Sequence, residues 1–276
     1  ANPAQAYDLR TSLEPIDEQT WPDAHQVDGP TPGPPGTVES YCGGGVRAHK
    51  RLYAAVKWLD SQGNWSALSN VASVIVTTFQ PDPHGYPFRN FTDVVPDDYT
   101  YDDMIEAFGR NAVCQGDSSP CVRKPTITKL RQKILTAMQI GHCTGMSVTE
   151  LRFYAGKETP TAYGALTTHG LEKPDVRRLI SHYSVKQLFK PVVSDIKAGE
   201  TKSLETLVED LRTAMLHDPM SDPFVLDFCR PNGTRCHTVV PDKLTEDGDG
   251  VWRIWFQDPN LDPYMTSVSC MEIDLN

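Results

Sequence analysis

The sequence has no stretch approaching the roughly 18 consecutive apolar residues that a membrane-crossing helix needs. Its most apolar segment runs only from Val71 to Phe79. It has no dense Lys/Arg run either: 26 Lys+Arg stand against 36 Asp+Glu, for a net charge of −10. That balance argues against nucleic acid and against an anionic membrane surface as partners. No Gly-rich phosphate-binding motif is present. His169, His182 and His217 lie without Cys or His at ligand spacing, so neither a metal site nor a cofactor is expected. The chain opens on Ala1 and carries no signal peptide. The expectation is a leader already removed, or a segment of a longer precursor.

What is present begins with size and sulfur. A chain of 276 residues with 39% hydrophobic content can build one large domain or two ordinary ones around a real core. Seven cysteines is many for a reducing compartment, and the number is odd. Cys114 and Cys121 bracket a short loop, and Cys229 and Cys236 bracket a turn-rich one. Both spacings suit a local disulfide. Cys42 and Cys270 form a third pair by elimination alone, leaving Cys143 as the free thiol. Asn64-Trp65-Ser66, Asn90-Phe91-Thr92 and Asn232-Gly233-Thr234 are possible glycan acceptors. Together these features suggest a secreted or cell-surface protein.

Residues 1–80 read as β structure. Strands are expected over Tyr7–Arg10, Thr37–Cys42, Arg51–Leu59 and Val71–Thr78, with a turn at Asp60–Asn64. The words from Tyr53 to Asn70, including Asp60-Ser61-Gln62-Gly63-Asn64 and Ser66-Ala67-Leu68-Ser69-Asn70, resemble the last strands of a fibronectin type III domain. Tyr7–Ser12 resembles its middle strand, and the first two strands have no counterpart. The resemblance implies a β-sandwich module over 1–80, of the sort that serves as a spacer or a binding surface for another surface protein.

After a Pro-rich linker near residue 80 the pattern turns helical. Helices are expected over Tyr99–Gly109, Lys129–Met138, Gly141–Tyr154, Leu171–Lys190 and from Ser203 to His217, the last with Thr206, Leu207, Leu211 and Met215 facing inward. Strands then follow at Pro223–Phe228, Cys236–Val240 and Val251–Phe256, with turns at Pro231–Thr234 and Asp247–Gly250. The second of these reads as a turn rather than a calcium loop, since the remaining ligands of such a loop are missing. Helices first and strands after predict an α+β domain over 81–276.

The chemistry centres on Gly141-His142-Cys143-Thr144-Gly145-Met146-Ser147. A cysteine at the start of a helix gains from the free N–H groups and positive dipole end there, which favour the thiolate. Nucleophilic catalysis also needs an imidazole within reach and a group to orient it. His237 stands on an expected strand and Asp258 ends the next one. If the two strands are adjacent and antiparallel, the carboxylate can take the imidazole N–H. His142 points away from its neighbour and reads as a wall residue.

The order Cys at a helix start, His on a strand, Asp at the end of the next strand resembles the papain-like cysteine peptidases. The words Gly141–Ser147, His237–Pro241 and Trp252–Asn260 are similar to a group of bacterial exported papain-like proteins, over roughly 88–262. Thr238 stands where that group often has Ala. The resemblance implies Cys143 as nucleophile, His237 as general base and acid, and Asp258 as orienting group. It implies a protein or peptide substrate cleaved through a thioester. Papain-like enzymes usually place a Gln six residues before the cysteine to stabilise the oxyanion, and that position is Ala137. Gln139, four before, is the substitute candidate, with the backbone N–H of Cys143 as second donor. The alternatives are a transglutaminase-type acyltransferase or an amidase of the same geometry, and an adhesive or structural surface protein whose papain-like fold no longer catalyses.

Overall fold

The computed structural model describes residues 3–40, 46–117, 119–217, 224–230, 236–261 and 269–275. It is a mixed structure of helices and antiparallel sheet. The strands are β1 (Ala6–Ser12), β2 (His25–Val27), β3 (Arg51–Leu59), β4 (Ala72–Val76), β5 (Leu226–Phe228), β6 (His237–Glu246), β7 (Val251–Gln257) and β8 (Cys270–Asp274). Between β4 and β5 run α1 (Pro81–His84), α2 (Tyr101–Phe108), α3 (Arg110–Val113), α4 (Pro125–Met138), α5 (Cys143–Tyr154), α6 (Lys173–Lys186), α7 (Lys190–Glu200) and α8 (Leu204–Leu216).

Among the described residues all eight strands belong to one sheet, in the order β2-β1-β3-β4-β6-β7-β8, with β5 pairing β6. Strands from both sides of residue 80 therefore share one hydrogen-bonded layer, joined where Ser73 to Val76 pair Glu246 to Lys243. The expected turn after β3 is present: the Asp60 carboxylate accepts from the backbone N–H groups of Gln62 and Asn64, and the Asp60 N–H donates to Asn64 O. Ala55 is the buried residue of β3 and, with the partly buried Tyr53, packs with Ile16, Trp21 and Ala24.

Two expectations are corrected. Residues 37–40 form no strand; Thr37 instead closes a turn on Pro34 O. Cys42 and the turn at 231–234 lie outside the described residues. The helix expected to run from Leu171 to Lys190 stops at Lys186, and α7 follows as a separate helix that buries none of its side chains. Pro191 occupies the first turn of α7, where its missing N–H costs nothing.

Elsewhere the local signals act as expected. Thr100 and Asp103 form a reciprocal capping box on α2, and Gly109 ends that helix at φ +81°. The Ser203 hydroxyl accepts from Thr206 N–H to start α8. The buried residues of α8 are Val208, Leu211 and Met215; Thr206, expected inward, is exposed, and Leu207 is only partly buried. The three buried residues pack with Ile75, Val239, Leu244, Ile254 and Phe256 of the sheet. A Pro241–Lys243 irregularity in β6 divides the strand, so its first part pairs β5 and its second part pairs β4 on the same side. That break leaves the His237 end of β6 free to meet α5.

Candidate active site

Helix α5 is the most deeply buried helix: Gly145, Met146, Ser147, Thr149, Glu150, Leu151 and Phe153 are all buried. It lies between α6 and β6. The approach to α6 requires glycine at 145, because an added Cβ would stand 2.1 Å from Ile180 O and 2.2 Å from Ser184 Oγ. On the other side Ser147 Oγ donates to Thr238 O at 3.1 Å, and the Thr144 and Thr238 hydroxyls are 2.8 Å apart. These contacts fix the N-terminus of α5 against the first residues of β6. Cys143, half-buried, is the first residue of the helix, and His142 precedes it as N-cap.

The three residues of the sequence-derived triad meet at this junction. β6 and β7 are adjacent and antiparallel, with Val240 opposite Gln257. Asp258 follows directly and its Oδ1 lies 2.7 Å from His237 Nε2. The carboxylate can only accept, so Nε2 carries the proton. The Asn260 backbone N–H donates to the same oxygen at 2.8 Å. His237 also faces the Cys143 thiol closely enough for each to shift the other's titration. With Nε2 committed to Asp258, Nδ1 is the nitrogen left for sulfur.

The electrostatics follow from these bonds. Burial alone would push the Cys143 thiol up, but the hydrogen bond from His237 and the backbone N–H groups of Thr238 and Thr144 hold it below the ordinary thiol value. Burial would likewise depress His237, yet its bonds to Asp258 and Cys143 outweigh that and push it up to about 9. Burial would raise Asp258, and its bonds from His237 and the Asn260 N–H hold it below the usual carboxylate range. Each shift favours a thiolate–imidazolium pair around neutral pH.

His142 is fully buried, stacked on Phe91 with ring centroids 4.1 Å apart, and its Nδ1 lies 2.8 Å from Phe91 O. It faces away from the triad. Gln139 ends α4 with its side chain exposed, and among the described residues no hydrogen bond ties it to Cys143. The disulfides Cys114–Cys121 and Cys229–Cys236 are both formed. Of the third candidate pair, Cys42 lies outside the described residues and Cys270 is a free, exposed thiol on β8. Asp247–Gly250 is a turn, with Gly248 and Gly250 at positive φ and Asp247 paired to Arg253.

Sequence reasoning missed three participants. The Thr238 N–H supports the thiolate, a main-chain role that no pattern encodes. The Thr238 hydroxyl donates to Asp227 Oδ1 at 2.5 Å and lies 2.8 Å from the Thr144 hydroxyl, which makes use of a threonine that looked only like a substitution for alanine. Asn90 read as a glycan acceptor, yet its side chain is held inside the site: Oδ1 accepts from His142 N–H at 2.7 Å, and Nδ2 donates to Asn260 Oδ1 at 2.9 Å.

Comparison of the chain with family models, with characterised proteins and with solved structures finds no match in any of the three.

Proposed function

We propose that the protein is an exported thiol hydrolase of papain-like design that cleaves peptide or amide bonds through an acyl-thioester on Cys143. The observation that carries this reading is the convergence of Cys143, His237 and Asp258, from a helix start and two neighbouring strands, with the imidazole bonded to the carboxylate and electrostatically coupled to the thiol. The Cys143 thiolate attacks the carbonyl carbon. The oxyanion that forms sits over the start of α5, where the Cys143 N–H and the helix dipole oppose its charge. The His237 imidazolium gives its Nδ1 proton to the leaving amine. The neutral ring then takes a proton from water as that water attacks the thioester, and keeps it as the acid leaves, restoring the thiolate–imidazolium pair. Asp258 holds the ring in one tautomer throughout. The two disulfides support export. The Gly-Asn turn after β3 supports a fibronectin-like role for the N-terminal strands as a surface for protein partners.

A peptidyl electrophile such as an epoxide or vinyl sulfone tests the reading directly. It predicts one adduct per chain, on Cys143, prevented by His237→Ala. A protein that forms no adduct with any member of a varied peptide series would overturn it. Supplying a primary amine alongside the cleavable substrate separates a hydrolase from an acyltransferase, since the latter gives the amide product.

A second reading is favoured by Ala137 and by the exposed side chain of Gln139, which leave the oxyanion with one clear donor. In that reading the fold serves adhesion. It predicts a reactive Cys143 that acylates but does not turn over.

A further inference from the structure

The nucleophile and the base belong to segments 94 residues apart, and the proposed chemistry needs them in register to a fraction of an ångström. On the strand side they are tied by the Thr144–Thr238 and Ser147–Thr238 bonds. On the opposite side stands Asn90, from the segment between α1 and α2. Its backbone N–H donates to Pro259 O at 2.6 Å, its Nδ2 to Asn260 Oδ1 at 2.9 Å, and its Oδ1 accepts from His142 N–H at 2.7 Å. The fit on this side is tight. Gly141 has φ +145°, and a Cβ there would lie 2.9 Å from Asn90 Nδ2.

These bonds determine the direction of two amides. A backbone N–H can only donate, so the Asn90 atom facing His142 is oxygen and the atom facing Asn260 is nitrogen. The Asn260 atom facing Asn90 must then be oxygen. Its NH₂ is turned to the His237 ring, 3.3 Å from Nδ1 and 3.2 Å from Nε2. We propose that Asn90 is a positioning residue for the Cys143–His237 pair, joining the nucleophile loop to the Asp258–Asn260 turn and holding the Asn260 NH₂ against the imidazole. This rests on the triad reading above.

The consequence is electrostatic as well as geometric. The charged or polar groups around the ring are Asp258, Cys143, Asp227 of β5 and Asn260. Asp258, the thiolate and Asp227 favour the imidazolium. The Asn260 NH₂ is the one group of the four that favours the neutral ring, the form needed after the leaving amine has taken its proton. Asn90 keeps it in that orientation. Without Asn90, Asn260 is free to turn its oxygen to a charged ring, and the ring becomes a weaker acid.

The test is the NMR titration of the His237 imidazole, assigned by comparison with His237→Ala, in the native protein, Asn90→Ala, Asn260→Ala and the double variant. Asn90→Ala is expected to weaken the imidazole as an acid roughly three- to tenfold, the worth of one exchanged hydrogen bond. On the Asn260→Ala background the same change is expected to do nothing, because its intermediary is gone. Asn90→Asp, which keeps an acceptor for the His142 N–H, serves if Asn90→Ala does not fold. It is expected to raise the titration more in the presence of Asn260 than in its absence. A His237 that titrates identically with and without Asn90, or a shift of equal size on both backgrounds, overturns the inference. A purely structural Asn90 would lower thermal stability and leave the titration in place. The triad reading fails separately, if native Cys143 does not react faster than the exposed Cys270.

Discussion

The Oδ1 of Asp258 stands 2.7 Å from Nε2 of His237, across the ends of two neighbouring antiparallel strands. That single bond sets the tautomer of the ring and leaves Nδ1 for the Cys143 sulfur.

Asp258→Ala removes the acceptor and part of what raises His237. The imidazolium becomes easier to deprotonate, and Cys143 alkylation near pH 7 is expected to fall roughly tenfold, the equivalent of one pH step in the pair. Stability should respond over a defined window. His237 titrates at about 9 when folded, above its ordinary 6.5, so its contribution is complete below 6.5 and is lost as pH rises through 9. Asp258 titrates below its ordinary 3.8, so its contribution is present above that value and is lost as pH falls through the lower folded one. The Tm difference between native protein and Asp258→Ala is therefore expected to be widest from about pH 4 to 6.5 and to close towards pH 9.

Two turns along α5 from Cys143, Glu150 is fully buried. Its Oε1 accepts the Tyr86 N–H at 2.9 Å, and its Oε2 has no partner. Burial outweighs that one bond and pushes the carboxyl up to about 8. A raised carboxyl contributes stability below its unfolded value of 4.5 and loses it as pH rises through the folded value. Glu150→Gln keeps an acceptor for Tyr86 and cannot ionise. Melting curves should show it gaining on the native protein as pH goes from 4.5 to 8, with a constant lead beyond.

Gly145→Ala places a methyl group where the Ile180 carbonyl and Ser184 hydroxyl already are. The helices must separate, and a loss of about 1–3 kcal/mol in denaturant unfolding is expected. Because α5 carries Cys143 at its start, the same variant should slow alkylation of that thiol, whereas Gly199→Ala, which meets nothing within 4 Å, should leave it unchanged.

Asn90 and Asn64 are both in acceptor triplets, and their surroundings differ. The Asn90 amide is bonded on both sides within the site, while Asn64 lies in the exposed turn after β3. Expressed in a glycosylating host, the folded protein is expected to carry a glycan at Asn64 and none at Asn90. Peptide mass mapping reads this out, and a fully occupied Asn90 in protein with a reactive Cys143 would contradict the geometry.

The sequence made Cys143, His237 and Asp258 legible because each sits at a locally encoded boundary: a helix start, a strand start, and the end of the following strand. The two short disulfides were legible for the same reason, their partners being seven residues apart. What was not legible depends on distant partners. Asn90 acts on residues 52 and 170 positions away, so no local pattern announces it. The pairing of β4 with β6 joins segments some 170 residues apart, and the linker-like Pro-rich stretch after Phe79 suggested a break that the sheet does not have. Helix α7 was missed because a proline that begins a helix and one that ends it look alike when the helix buries no face.

The central claim is tested most directly by following iodoacetamide alkylation of the native protein near pH 6.5, site by site, for Cys143 and Cys270. Cys270 is exposed and Cys143 is half-buried, so access alone would make Cys270 the faster. A thiolate held by His237 reverses that order: Cys143 is expected to react at least tenfold faster than Cys270, and His237→Ala to abolish the advantage. A Cys143 that reacts more slowly than Cys270, or at a rate that His237→Ala does not change, would contradict the account.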